Sequence, residues 1–97
     1  MSGIYRARPG LREERLGDEI MIFDAETDQV HVLNEGSAAI WEAAVSGLDV
    51  AGIERRLLER YDLSAHPDPA AMIRESLESL AGKGLLVPAG DPREGAA

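Results

Sequence analysis

The chain has 97 residues, enough for one small domain with a modest core and no room for a deep substrate pocket. Hydrophobic residues make up 44%, too many for a disordered chain, and aromatics only 4%, so the core must be largely aliphatic. The net charge of -8, from 18 acidic and 10 basic residues, repels phosphate backbones and anionic lipids and favours basic or neutral partners.

The absence of cysteine excludes disulfides and thiolate metal sites. No stretch approaches the ~20 apolar residues that span a bilayer, and no apolar run of signal-peptide length opens the chain. The expectation is a soluble, cytoplasmic protein.

Residues 1–9 carry Arg6, Arg8 and Pro9 with little apolar content and read as a flexible arm. Residues 10–17, GLREERLG, could form a helical turn by propensity, but glycines at both ends favour a first, solvent-facing strand. EIMIF, residues 19–23, is an apolar run of strand length, and DAETD supplies the polar turn before the next run. Alternation puts Ile20 and Ile22 on one face and Met21 and Phe23 on the other, so periodicity does not say which face meets the rest of the chain.

The next stretch, QVHVLNEGSAAIW, organises the whole sequence. A β-branched run through Val30, His31, Val32 and Leu33 gives way at Asn34 to small residues, as when a strand passes directly into a helix. The Asn34 side chain suits an N-cap, because its oxygen can accept from a free backbone N–H of the helix. A first helix is read over residues 36–45, with Ala39, Ile40, Ala43 and Ala44 on one side and Trp41 at its flank, and Gly47 ends it.

Asp49 can cap a second helix over residues 50–61, with Val50, Ile53, Leu57 and Tyr61 as its buried stripe. Asp68 followed by Pro69 opens a third, running to about Gly82, with Ile73, Leu77 and Leu80 facing the core. Leu85, Leu86 and Val87 pack back as a short extended tail, and residues 89–97 read as disordered. The expected fold is therefore α+β, a three-stranded antiparallel sheet followed by three helices, winged-helix-like, over residues 10–88.

Nothing in the sequence assembles an active site. The imidazoles are His31, in a strand, and His66, in a loop before Pro67, which is no cluster for a metal or for catalysis. Glu13 with Glu14, and Glu75 with Glu78, read as solvated faces, since no pocket is present to raise their pKa values. The glycines at 82 and 84 end a helix, whereas a phosphate loop precedes one. Ser37 has no accompanying base. The expectation is a non-enzyme that needs no metal or organic cofactor.

Helices in this order also resemble a helix-turn-helix. The candidate reading helix, however, sets Arg74 and Lys83 against Asp68, Glu75 and Glu78, and the arginines at 55, 56 and 60 of the preceding helix are offset by Glu54 and Glu59. Nucleic acid is therefore not an expected partner. A winged-helix nucleic-acid-binding domain stands as a lesser alternative.

A peptide-binding module has a clearer basis. A small three-stranded sheet leaves two edges, and an edge with free N–H and C=O groups accepts an extended peptide as an added strand. Residues 30–33 contain no proline, lysine or glycine to blunt such an edge. Composition alone leaves open whether this strand is a receptive edge or simply core.

The order of these features resembles the PqqD-like proteins, also called RiPP recognition elements. It comprises two apolar strands about a turn, Leu33-Asn34, a small-residue helix start with Ile40-Trp41, and helices ending in Lys83-Gly84-Leu85-Leu86. The resemblance covers about residues 10–87 and rests on order and spacing more than on any single motif. It implies a non-catalytic domain that binds the leader segment of a ribosomally made precursor peptide and delivers it to a modifying enzyme or leader protease.

In that family the leader adds to the third strand, and its side chains rest in a groove beside the last helix. Carried over, the strand is Gln29, Val30, His31, Val32 and Leu33. On the last helix, Met72, Ser76, Ser79 and Lys83 form a stripe beside the core stripe at ~100° per residue, with Arg74 and Ala81 on the other flank. Met72, Ser76 and Ser79 are the expected groove wall; they read almost as well as a core methionine and two ordinary exposed serines.

Members acting in quinone-cofactor synthesis tend to carry a Pro-Glu pair after the second strand, where this chain has Phe23-Asp24-Ala25-Glu26. The acidic turn looks more like the stand-alone proteins of lasso-peptide clusters. The alternative is a peptide chaperone of pyrroloquinoline quinone biosynthesis. An unblunted edge also leads to the expectation of a homodimer in the absence of peptide.

Overall fold

A computed structural model of the protein describes residues 4–61 and 67–88. His66 and the tail from residue 89 lie outside the described residues. Among these, the elements run β1 (Tyr5–Ala7), β2 (Leu11–Leu16), β3 (Glu19–Asp24), β4 (Gln29–Leu33), α1 (Glu35–Val45), α2 (Val50–Arg60), α3 (Pro69–Gly82) and β5 (Leu86–Pro88). β2, β3 and β4 form an antiparallel sheet in that order. The fold is α+β, with this three-stranded sheet followed by three helices.

The pleat decides the question that periodicity left open. Ile20, Ile22 and Asp24 of β3 are buried, while Met21 and Phe23 are half-exposed on the outer face. The registers Ile20↔Leu33 and Ile22↔His31 carry the inner face across to β4. Hairpin β3–β4 closes at Asp24↔Gln29, and Asp28 takes a left-handed φ of 59° to complete the turn. Aspartate is among the few residues that adopt this conformation readily.

Each helix starts on a side chain that accepts from an otherwise unpartnered backbone N–H. Asn34 accepts from Ser37 N at 2.9 Å, Asp49 from Gly52 N at 2.9 Å, and Asp68 from Ala71 N at 3.1 Å. α3 turns Ile73, Leu77 and Leu80 into the core, each burial contributing about 1.5–3 kcal/mol. α1 is buried more widely than its expected stripe: Ala38 and Trp41 are covered as well, and Trp41 is 0% exposed. α1 packs against β3 and β4 and also against both other helices, so an indole at the flank of its alanine stripe is still enclosed.

Of the flexible arm expected over residues 1–9, residues 1–3 lie outside the described residues, while Tyr5–Ala7 is a strand paired antiparallel with β5 in a second, two-stranded sheet. Tyr5 and Ala7 pack against the core while Arg6 faces solvent, an alternation too short to register in the sequence. Arg8 extends the clasp. Its backbone N–H donates to Leu85 O at 3.0 Å, and its Nε donates to Gly84 O at 2.5 Å. Its guanidinium also pairs with Asp24 and Glu26. Asp24, read from sequence as a turn residue, is thus the buried last residue of β3.

Candidate functional site

Among the described residues, β4 has β3 on one side and no strand on the other. Its side chains alternate: Leu33 is buried and His31 half-buried toward the helices, while Val30 and Val32 are 54% and 59% exposed on the outer face. The registers Phe23↔Val30 and Met21↔Val32 make this outer face apolar at its centre, with Arg12 and Glu14 of β2 flanking it. Along the free edge, alternate backbone N–H and C=O groups have no ladder partner, which is the requirement for strand addition.

Beside the same end of β4 lies a cavity of about 300 Å³, where α3 and the start of α1 approach the strand. Val32 and Leu33 line it from β4, and Ser76, Ser79, Leu80 and Lys83 from α3. Asn34, Ser37 and Glu19 complete the rim. Buried Leu33 and Leu80 form an apolar floor, and the remaining walls are mainly polar.

The expected site residues are partly brought together. Val32, Leu33, Ser76 and Ser79 meet at one cavity, whereas Gln29, Val30 and His31 continue along the edge beyond its lining. Met72 is not among the lining residues; it is half-buried and packs against the core. Glu19, Ser37 and Lys83 were not among the expected contacts. Lys83 carried a signal, since it shares the Met72–Ser76–Ser79 helical stripe, but Glu19 and Ser37 reach the rim only through tertiary packing.

Two buried nitrogens, His31 Nε2 and Trp41 Nε1, have no hydrogen-bond partner among the described residues. A second concavity, of about 330 Å³, lies against β2 and β3 and is lined by Arg12, Glu13, Glu14, Met21 and Phe23. Among the described residues, no group of three or more His, Asp or Glu side chains could hold a metal ion. None of their helices is long and apolar enough to cross a membrane. The arrangement offers a backbone edge, a small polar-walled groove and an apolar outer face, which together suit binding more than bond-making.

A family model described as coenzyme PQQ synthesis protein D (PqqD) matches residues 19–86. No curated protein sequence matches the chain. Among solved structures, TbiB1 in complex with the TbiA(beta) leader peptide aligns with a TM-score of 0.77 at 21% identity, covering 89% of this chain and 99% of that one. Lasso peptide synthetase B1 complexed with the leader peptide aligns at 0.75 and 21% identity, covering 87% and 98%. The shared architecture is the sheet, the three helices and their order, and the family match runs from the start of β3 into β5; the chain belongs to the PqqD family.

Proposed function

We propose that this domain binds the leader segment of a ribosomally synthesised precursor peptide as an antiparallel strand added to β4, and holds it for a modifying enzyme or leader protease of lasso-peptide type biosynthesis. The observation that carries this reading is the free edge at Gln29–Leu33 lying beside a groove that α3 walls. The PqqD family match and the leader-peptide complexes formed by both structural neighbours support it. Backbone pairing supplies affinity with little sequence preference, and side chains entering the groove supply selection. The domain itself catalyses nothing and works in the cytoplasm, where precursor and enzyme meet.

The family description, coenzyme PQQ synthesis, favours a second reading in which the precursor is that of a quinone cofactor. The same edge would serve, and the precursor bound distinguishes the two.

The test is selection of an mRNA-displayed library of random linear peptides on the whole chain, followed by hydrogen exchange with an enriched peptide. Slowed exchange across residues 29–33 is the expected result. Enriched peptides that leave these amides unchanged would overturn the proposal, as would a selection that enriches nothing.

A further inference from the structure

We infer that the groove selects an acidic side chain, Asp or Glu, at one inward-facing position of the bound strand, with Lys83 as its counter-charge. This rests on strand addition to β4 and goes further by naming the chemistry that the groove reads.

The cavity, at about 300 Å³, has the volume of about ten water molecules, so it admits one or two side chains and not a folded element. Its floor of Leu33 and Leu80 suits the methylene stem of an acidic residue. Its walls then offer donors. The hydroxyls of Ser76 and Ser79 make no hydrogen bond back to their helix, in contrast to Ser46, whose Oγ donates to Glu42 O at 2.8 Å. They can turn toward a carboxylate without giving up a partner.

Lys83 is the sole cation in the lining among the described residues and the sole lysine in the chain. Unlike Arg8 and Arg15, which are engaged with Asp24, Glu26 and Glu42, it makes no ion pair among the described residues. The remaining charge on the rim is Glu19, which does not pair with Lys83 and works against an acidic ligand. A net charge of -8 repels acidic peptides as a whole, so along β4 an acidic residue is best tolerated where it falls beside Lys83. The groove therefore reads position as well as charge. In an antiparallel strand, the residue beside Leu33 lies N-terminal to the residues beside Val30, which places the acidic position early in the paired segment.

Lys83 is also the C-cap residue of α3, where a cation offsets the helix dipole. That role alone would change stability without changing which peptides bind, so peptide selection separates the two.

Random linear peptides displayed on mRNA are selected in parallel on the wild-type chain, Lys83→Glu and Glu19→Gln. On the wild type, Asp or Glu should be enriched at a single position, and Lys83→Glu should replace it there with Lys or Arg. An enriched acidic peptide should lose about five- to tenfold in affinity on Lys83→Ala and gain on Glu19→Gln. It should also slow acetylation of Lys83 by an amine-reactive ester, read by peptide mapping so that the chain's α-amino group is scored apart from the one lysine. Peptides that protect β4 yet show no acidic position, or one that Lys83→Glu leaves unchanged, would overturn this inference and leave strand addition standing. Enriched peptides that leave β4 unprotected would overturn both.

Discussion

Arg8 donates through its guanidinium to the carboxylate of Asp24, joining the segment after the first strand to the end of β3. The arginine is also bound to Gly84 O, so one side chain ties the chain's beginning, its hairpin and its C-terminal turn together. The Asp24 carboxyl is held below its ordinary value of 3.8, first by the Arg8 hydrogen bond and against the opposing effect of desolvation. Hydrogen bonds from Thr27 and from the Glu26 N–H add to the lowering.

A carboxyl whose pKa folding lowers contributes stability that is complete above its unfolded value and is lost as the pH falls through its folded value. Unfolding by urea should therefore become easier below about pH 4. Arg8→Ala should lower the urea midpoint at neutral pH and lower it by less in acid, where the bond to Gly84 O remains but the Asp24 pair no longer contributes. An equal loss at both ends of the titration would show that the pair is not the source.

The Asn34 cap gives a second expectation. Asn34→Ala leaves Ser37 N without its acceptor and should cost about 0.5–2 kcal/mol, while Asn34→Asp should be close to neutral. Thermal melts followed by circular dichroism measure both. A fully stable alanine variant would show that the β4–α1 junction does not depend on the cap.

Strand addition predicts a paired outcome at the edge. Neighbouring residues of a strand turn their N–H groups to opposite sides, so of His31→Pro and Val32→Pro one removes a donor from the β3 ladder and the other removes one from the free edge. One variant should unfold, and the other should fold and fail to bind a selected peptide. Fluorescence anisotropy with circular dichroism as the folding control reads both; two folded variants that bind normally would place the peptide elsewhere.

The exposed valines of β4 lead to a further expectation. With no lysine or proline on the strand, two copies should pair edge to edge at high concentration, and a selected peptide should convert the dimer to monomer. Sedimentation velocity with and without peptide is the measurement. A dimer that persists under saturating peptide would have its interface away from β4.

What could be read from the sequence divides by range. The caps at Asn34, Asp49 and Asp68 were legible because each side chain bonds a backbone N–H three residues on. The core stripe Ile73, Leu77 and Leu80 was legible because a helix repeats every 3.6 residues. β1 was not, since three residues give no period and its partner strand lies at the far end of the chain. Asp24 looked like a turn residue for the same reason: the arginine that makes its burial tolerable comes from outside the hairpin.

The site shows the same division. Ser76, Ser79 and Lys83 share a helical stripe and could be grouped in advance, but that they face Leu33, Glu19 and Ser37 is a product of packing. Met72 belongs to the same stripe by angle and yet packs against the core, because helical phase alone does not say how far the neighbouring strand extends.

Tyr5 lies opposite Pro88 in the β1–β5 pair, so the first and last strands of the described residues lie side by side. A short linker could join these two positions, and the chain could be reopened between α1 and α2, where Gly47 already makes a turn with φ of 96°. Such a circular permutant should keep the β2–β3–β4 hairpins contiguous and leave β4 unpaired on its outer side. By the same geometry, the domain can be inserted into a loop of a larger protein through two adjacent attachment points, with its sheet edge still open to a third chain.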